Sequence, residues 1–143
     1  RSNMLRSRPY TRAADLLKLA GLRPTRQRLA LARLLFGDSN RHVTAEQLHA
    51  EARHDGAEVS LATVYNTLHQ FTHAGLMREV MVDPGRSYFD TNTSEHHHFY
   101  YEDTGRLQDI PEESIALAVP PKPPLGTAIS RIDIIVRLSE TPR

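Results

Sequence analysis

The spacing of apolar residues divides this chain into a helical first half and a strand-rich remainder. Four helices are predicted before residue 76. The first covers Arg12 to Ala20 and stops at Gly21. The second follows Pro24 with Thr25 as N-cap, carries Leu29, Ala32, Leu35 and Phe36, and ends at Gly37. The third has the fullest start signal. Thr44 with Gln47 makes a capping box, Val43 with Leu48 a hydrophobic staple, and the helix ends before Gly56. The fourth follows Ser60 as N-cap, buries Leu61, Val64, Leu68 and Phe71 as one stripe, and ends at Gly75.

The pattern then changes. Met77 to Val82 reads as a strand, Asp83-Pro84-Gly85-Arg86 as a type II turn, and Ser87 to Asp90 as the returning strand. Helices followed by a hairpin predict a winged helix, with Arg86 at the wing tip within reach of phosphate. Thr91-Asn92-Thr93-Ser94 is polar and suits a hinge. Residues 97–101 form a further strand and Glu102-Asp103-Thr104-Gly105 a turn. A hairpin closed there pairs Tyr101 with Arg106 and sets His98 opposite Asp109. A short helix is predicted over Pro111 to Val119 and a strand over Ile129 to Leu138.

The predicted fold class is therefore α+β. An N-terminal winged-helix DNA-binding domain spans residues 1–90, a hinge 91–95, and a small α/β dimerisation and metal-binding domain 96–143. Two or three strands and one helix bury too little apolar surface to stand alone, so a homodimer is expected.

Composition sharpens this picture at three points. The chain has 143 residues and no cysteine, which excludes disulfides, thiolate zinc sites and thiol redox sensing. Any metal must be held by nitrogen and oxygen. Net charge is only +1 but unevenly spread. Residues 1–41 carry ten Arg and Lys against Asp15 and Asp38, while residues 91–143 carry five against eight acids. A basic N-terminal part points to a polyanion partner. No apolar run of about 18 residues or more is present, and no signal-peptide pattern, so a cytoplasmic protein with no membrane contact is expected. Position 1 is Arg, so the natural start is expected upstream.

Two constellations carry chemistry. In the run His96-His97-His98, strand alternation directs His96 and His98 to one face and His97 to the other. With Asp109 opposite His98, two imidazoles and a carboxylate converge on that face, a set suited to Fe, Mn or Zn. The second constellation is the outer side of the fourth helix. Ala62, Thr63, Asn66, Thr67 and Gln70 are small or hydrogen-bonding and uncharged, with Ser60 at the N-terminus and Tyr65 at the boundary. Such a face fits a major groove, where Asn and Gln read adenine and methyl groups touch thymine. Arg23, Arg26 and Arg28 have few acids nearby in sequence and are expected on phosphates.

These residues together resemble the ferric uptake regulator (Fur) family over about residues 12–138. The resemblance rests on the stretches Gly21 to Arg28, His42 to Glu46, Ser60 to Leu68 and Phe71 to Leu76, and on the histidine-rich hairpin. Ser87-Tyr88-Phe89-Asp90 and the cysteine-free histidine run are similar to the Irr branch, iron-response regulators linked to haem. The resemblance implies a dimer that represses genes of iron and haem metabolism by binding palindromic, AT-rich operators in double-stranded DNA. It implies a regulatory Fe²⁺ or Mn²⁺ site, with Zn²⁺ taken up on purification, at His42, Asp90, His96, His98 and Asp109. Metal occupancy would then set the spacing of two recognition helices.

A second metal site of the family falls on Glu95, His97, Ala116 and about Arg131, of which only the first two can ligate. The structural-zinc cysteines are absent, their first pair falling at Tyr101 and Thr104. The short cysteine-containing haem motif is absent too, leaving His96, His97 and His98 as the contacts open to haem. Three other readings remain: a peroxide sensor of the same family, a metal or haem buffer, and a His/carboxylate hydrolase or oxygenase. No candidate general base stands beside the cluster, and the basic winged helix would be idle in an enzyme.

Overall fold

The structure, a computed structural model, describes residues 9–116 and 118–141. The outermost residues of both expected domains, and Leu117 within the expected helix, lie outside it. The chain parts into two compact units between Thr93 and Ser94.

The first unit opens with α1 (Pro9–Leu19) and α2 (Arg26–Leu35). The two-residue strand β1 (His42–Val43) follows, then α3 (Ala45–His54) and α4 (Leu61–His73). Each predicted cap is formed. Thr25 Oγ1 accepts from the Arg28 N–H at 3.2 Å. Thr44 Oγ1 accepts from the Gln47 N–H at 3.1 Å while Gln47 Oε1 accepts from the Thr44 N–H at 2.9 Å. Ser60 Oγ accepts from the Thr63 N–H at 3.1 Å. These bonds satisfy donors that a helix N-terminus leaves open. The apolar stripes of the four helices meet in one core around Leu17, Leu31, Leu35, Leu48, Val64, Leu68 and Phe71, all fully buried. α1 begins three residues earlier than the spacing predicts.

A β-hairpin completes this unit: β2 (Arg78–Asp83) and β3 (Arg86–Asp90), turning at Gly85 with φ 78°. That left-handed conformation suits glycine, as the Pro-Gly pair requires. The sheet has the order β1-β3-β2. Nothing in the residue spacing announces β1, because two residues are too few for alternation to show. Its consequence is specific, since β1 pairs His42 with Asp90 and Val43 with Phe89. The pairing continues past β3, where the Thr91 N–H donates to the Arg41 carbonyl at 3.1 Å and the Arg41 N–H to Thr91 Oγ1 at 2.9 Å.

The second unit is a sheet of order β5-β4-β6. β4 (His98–Tyr101) and β5 (Leu107–Asp109) form the predicted hairpin, with His98 opposite Asp109. Gly105, at φ 73°, closes the turn by donating its N–H to the Tyr101 carbonyl at 2.8 Å. β6 (Ile135–Leu138) lies parallel to β4, with Ile135 beside His98.

Two expectations fail in this unit. The helix predicted over Pro111 to Val119 is only a 3₁₀ turn at Glu112–Ser114, after which Ile115 is extended. No side chain caps this turn, and Pro120, Pro121, Pro123 and Pro124 block any helix from growing through the segment. The strand predicted over Ile129 to Leu138 shortens to its last four residues. Ile129, Ile132 and Ile134 are apolar, but residues 129–134 lie ahead of the strand, which begins at Ile135.

Candidate metal centre and nucleic-acid face

In the second unit the His98–Asp109 pairing brings a carboxylate to the face that His96 shares. His96 Nε2 stands 3.3 Å from Asp109 Oδ1, and His98 Nε2 stands 3.4 Å from the same oxygen. The two imidazole rings are 4.4 Å apart, tilted by 59°. Both are buried, His96 to 8% exposure and His98 to 2%. His96 Nδ1 lies 2.6 Å from the Ser94 carbonyl. A carbonyl can only accept, so Nδ1 carries a proton and Nε2 is the nitrogen turned toward Asp109. A neutral ring would then direct one lone pair at another unless a cation lies between. A backbone carbonyl orienting one ring nitrogen while the other faces a carboxylate is the arrangement of histidine metal ligands.

The first unit carries a matching pair. Asp90 ends β3 with no exposed surface. Its Oδ1 accepts from the Asn92 N–H at 2.8 Å, and its Oδ2 lies 3.2 Å from His42 Nε2. A carboxylate buried to this degree needs a compensating charge. The β1–β3 register supplies the imidazole that faces it. Each unit therefore holds nitrogen and oxygen donors at hydrogen-bond distance, a donor set that fits Fe²⁺, Mn²⁺ or Zn²⁺.

Glu95 and His97 do not join this cluster. Glu95 is exposed. The His97 ring accepts the Ile134 N–H on Nδ1 at 3.1 Å. Its other nitrogen then carries a proton and has no lone pair for iron. His96 is committed to Ser94 and Asp109, and His98 faces Asp109. The geometry does not fit the haem expectation.

On the first unit, Arg23, Arg28, Thr63, Asn66 and Gln70 border one groove beside α4. Arg23, Arg26, Ser60, Ala62, Asn66 and the wing-tip Arg86 are exposed, and Thr63 and Tyr65 half-buried. Two expectations change. Thr67 is only 4% exposed and forms the base of the groove, so it supports α4 rather than reaching a base edge. Arg28 is not simply a phosphate contact. Its Nε and Nη2 donate to Gln70 Oε1 at 3.2 and 3.0 Å, and its Nη1 donates to the Arg23 carbonyl at 2.9 Å. It fixes the Gln70 amide and braces α2 against α4. The Tyr65 hydroxyl donates to Glu46 Oε2 at 3.0 Å. That bond, reinforced by burial and by the carboxylate's charge, raises the phenol pKa above its ordinary value. What remains of Tyr65 for a base is its ring edge.

The model of the ferric uptake regulator family matches residues 19–120. The chain belongs to that family. The ferric uptake regulation protein of Shigella flexneri is 38% identical over 100 residues, covering 69% of this chain and 68% of that protein. The peroxide-responsive repressor PerR of Staphylococcus aureus is 37% identical over 94 residues, covering 66% and 63%. Among solved structures, the Vibrio cholerae Fur matches with a TM-score of 0.69 at 26% identity, covering 88% of this chain and 98% of that one. The Pseudomonas aeruginosa regulator, solved with manganese, matches with a TM-score of 0.67 at 24% identity, covering 91% and 98%.

Fur-family proteins are dimeric, metal-dependent DNA-binding transcription regulators, not enzymes. The fold here is accordingly α+β, a winged-helix DNA-binding domain and a dimerisation domain. Among the described residues, no helix is long and apolar enough to cross a membrane. Residue spacing gives no sign of three groups at the sites: the Ser94 carbonyl, the Asn92 N–H and the Arg28–Gln70 bracket. The first two are backbone groups with no residue signature. The bracket joins positions 42 residues apart, a distance that residue spacing along the chain does not reveal.

The two kinds of DNA contact separate in one experiment. Arg23→Ala should weaken binding to operator and random duplex alike and reduce the slope of log affinity against log salt by about 1. Asn66→Ala should leave that slope unchanged and lose about 1–3 kcal/mol of discrimination against random duplex. Equal losses on both duplexes for Asn66→Ala would remove it from base recognition.

Proposed function

We propose that this chain is an iron-responsive repressor that binds palindromic, AT-rich DNA as a homodimer. One divalent ion would be held by His42 and Asp90 of the first unit with His96, His98 and Asp109 of the second. The observation that carries this reading is the buried pair of His96 and His98 aimed at one carboxylate oxygen, with His96 oriented from behind by Ser94. An ion bound there supplies the positive charge these donors lack, and makes the placing of the DNA-binding unit depend on occupancy. The ordinary ion is Fe²⁺ or Mn²⁺, with Zn²⁺ as a substitute on purification, because N/O donors select weakly among them.

Within this chain the roles divide by chemistry. Asp90 and Asp109 provide charge, His42, His96 and His98 provide lone pairs, and Arg23, Arg26 and Arg86 meet phosphates. Asn66 and Thr63 read base edges, with Ala62 and the Tyr65 ring offering apolar contact. The absence of cysteine and the histidine run favour placement near the Irr branch, with free metal rather than haem as effector. Action in the cytoplasm follows from DNA as partner.

The test is fluorescence anisotropy on a labelled palindromic duplex. Affinity should rise steeply with Mn²⁺, a redox-stable stand-in for Fe²⁺, and not with haem. Affinity indifferent to Mn²⁺ would overturn the reading. A peroxide sensor is favoured only by the likeness to the staphylococcal PerR. It predicts oxidation of His42 or His96, visible by mass spectrometry, when the iron-loaded protein meets peroxide.

A further inference from the structure

The second unit contains another set of side chains with ligand chemistry, on the opposite face of the histidine run. A cavity of about 360 Å³ is lined by Glu95, His97, Glu112 and Arg131, with His96 at its border and isoleucines supplying much of the remaining wall. Two carboxylates and an imidazole are the ordinary makings of a metal site. Yet among the described residues these three do not bring ligand atoms together as His96, His98 and Asp109 do.

Two features of the cavity explain why. The His97 ring is committed to the backbone, accepting the Ile134 N–H on Nδ1 at 3.1 Å. The Ile134 carbonyl in turn accepts the His98 N–H at 3.2 Å. Ile134 is thus gripped on both its polar groups by consecutive histidines, and His97 serves as a clamp just ahead of β6. With Nδ1 accepting, Nε2 bears a proton and cannot ligate. The second feature is Arg131. A guanidinium keeps its charge at any physiological pH. Its Nε donates to Asp133 Oδ2 at 2.7 Å, an ion pair that holds the side chain beside the cavity. A divalent ion entering between Glu95 and Glu112 would meet a guanidinium already held by its own carboxylate, and His97 would offer it no lone pair.

We propose that each protomer binds a single divalent ion, and that Arg131, acting as a resident cation beside a committed His97, closes this second cavity to metal. The inference rests on reading His96, His98 and Asp109 as part of a metal centre, and the experiment separates the two. The metal-free full-length dimer is titrated with Mn²⁺, and bound ion per protomer is counted by equilibrium dialysis with electron paramagnetic resonance of the free ion.

At the Mn²⁺ concentration that just fills the wild-type site, the expected count is one for wild type, one for His97→Ala and close to none for His98→Ala. At higher Mn²⁺ a second, weaker ion is expected for Arg131→Glu, which removes the cation and adds a carboxylate. Two ions in wild type, falling to one in His97→Ala, would overturn the inference and leave the metal centre standing. A count unmoved by Arg131→Glu would overturn the part given to Arg131. No ion in wild type would overturn the metal centre itself, and the inference with it.

Discussion

Replacing His98 by alanine is expected to abolish the metal dependence of DNA binding while leaving the weak metal-free affinity in place. His98 is 2% exposed and stands 3.4 Å from Asp109 Oδ1, the same oxygen that faces His96. Loss of groups that merely orient a ligand costs 10–100-fold in metal affinity, so loss of a ligand should cost at least about 100-fold. That is about 2.7 kcal/mol of binding free energy. On a labelled palindromic duplex, the Mn²⁺ concentration giving half-maximal anisotropy should move up by that factor or out of range.

Two controls keep the result interpretable. His98→Gln retains most of the volume, so loss in both variants separates missing ligation from a cavity. His97→Ala removes the neighbour on the opposite face and should leave the Mn²⁺ midpoint where it is. Tight binding by His98→Ala at every metal concentration would make the cluster structural and turn attention to a protein partner as the effector.

How much of this centre is legible in the sequence follows from the range of the interactions. The helix caps at Thr25, Thr44 and Ser60 are local, and each forms as its residue types require. The His98–Asp109 register is also local, because a four-residue turn fixes which residues face each other across a hairpin. The His42–Asp90 pairing is not local. It depends on a two-residue strand that pairs His42 with a residue 48 positions away, and Val43 signals only an apolar contact. Only the family resemblance brought His42 and Asp90 forward.

Burial of Thr67 fails for a different reason. The apolar stripe of α4 is wider than its four large residues, so a threonine beside Val64 and Leu68 is drawn inward. The missing helix after Ile110 reflects tertiary context. Residues 111–119 have moderate helix propensity, but no capping side chain starts the helix and a proline-rich segment ends it. Short helices take their stability from packing, which this turn lacks, since none of its residues is buried.

Asp90→Asn provides the complementary experiment on the other unit, read in thermal stability rather than DNA affinity. The carboxamide has nearly the shape of the carboxylate and keeps an oxygen to accept the Asn92 N–H, so the end of β3 should hold. What it loses is the negative charge 3.2 Å from His42 Nε2, in a side chain with no exposed surface. An ion bound only by the folded protein stabilises it by about 2.7 kcal/mol when present at 100 times its dissociation constant. At about 4–8 °C per kcal/mol for a unit of this size, Mn²⁺ should raise the wild-type melting temperature by roughly 10–20 °C. Asp90→Asn should lose most of that rise while its metal-free melting temperature moves by only a few degrees, because keeping a carboxylate charged at a buried position is itself costly without the ion. The opposite pattern, a large metal-free loss with the Mn²⁺ increment intact, would make Asp90 a structural residue of the β1–β3 junction. Either result reads the role of Asp90 without reference to DNA, and so does not depend on choosing the right duplex.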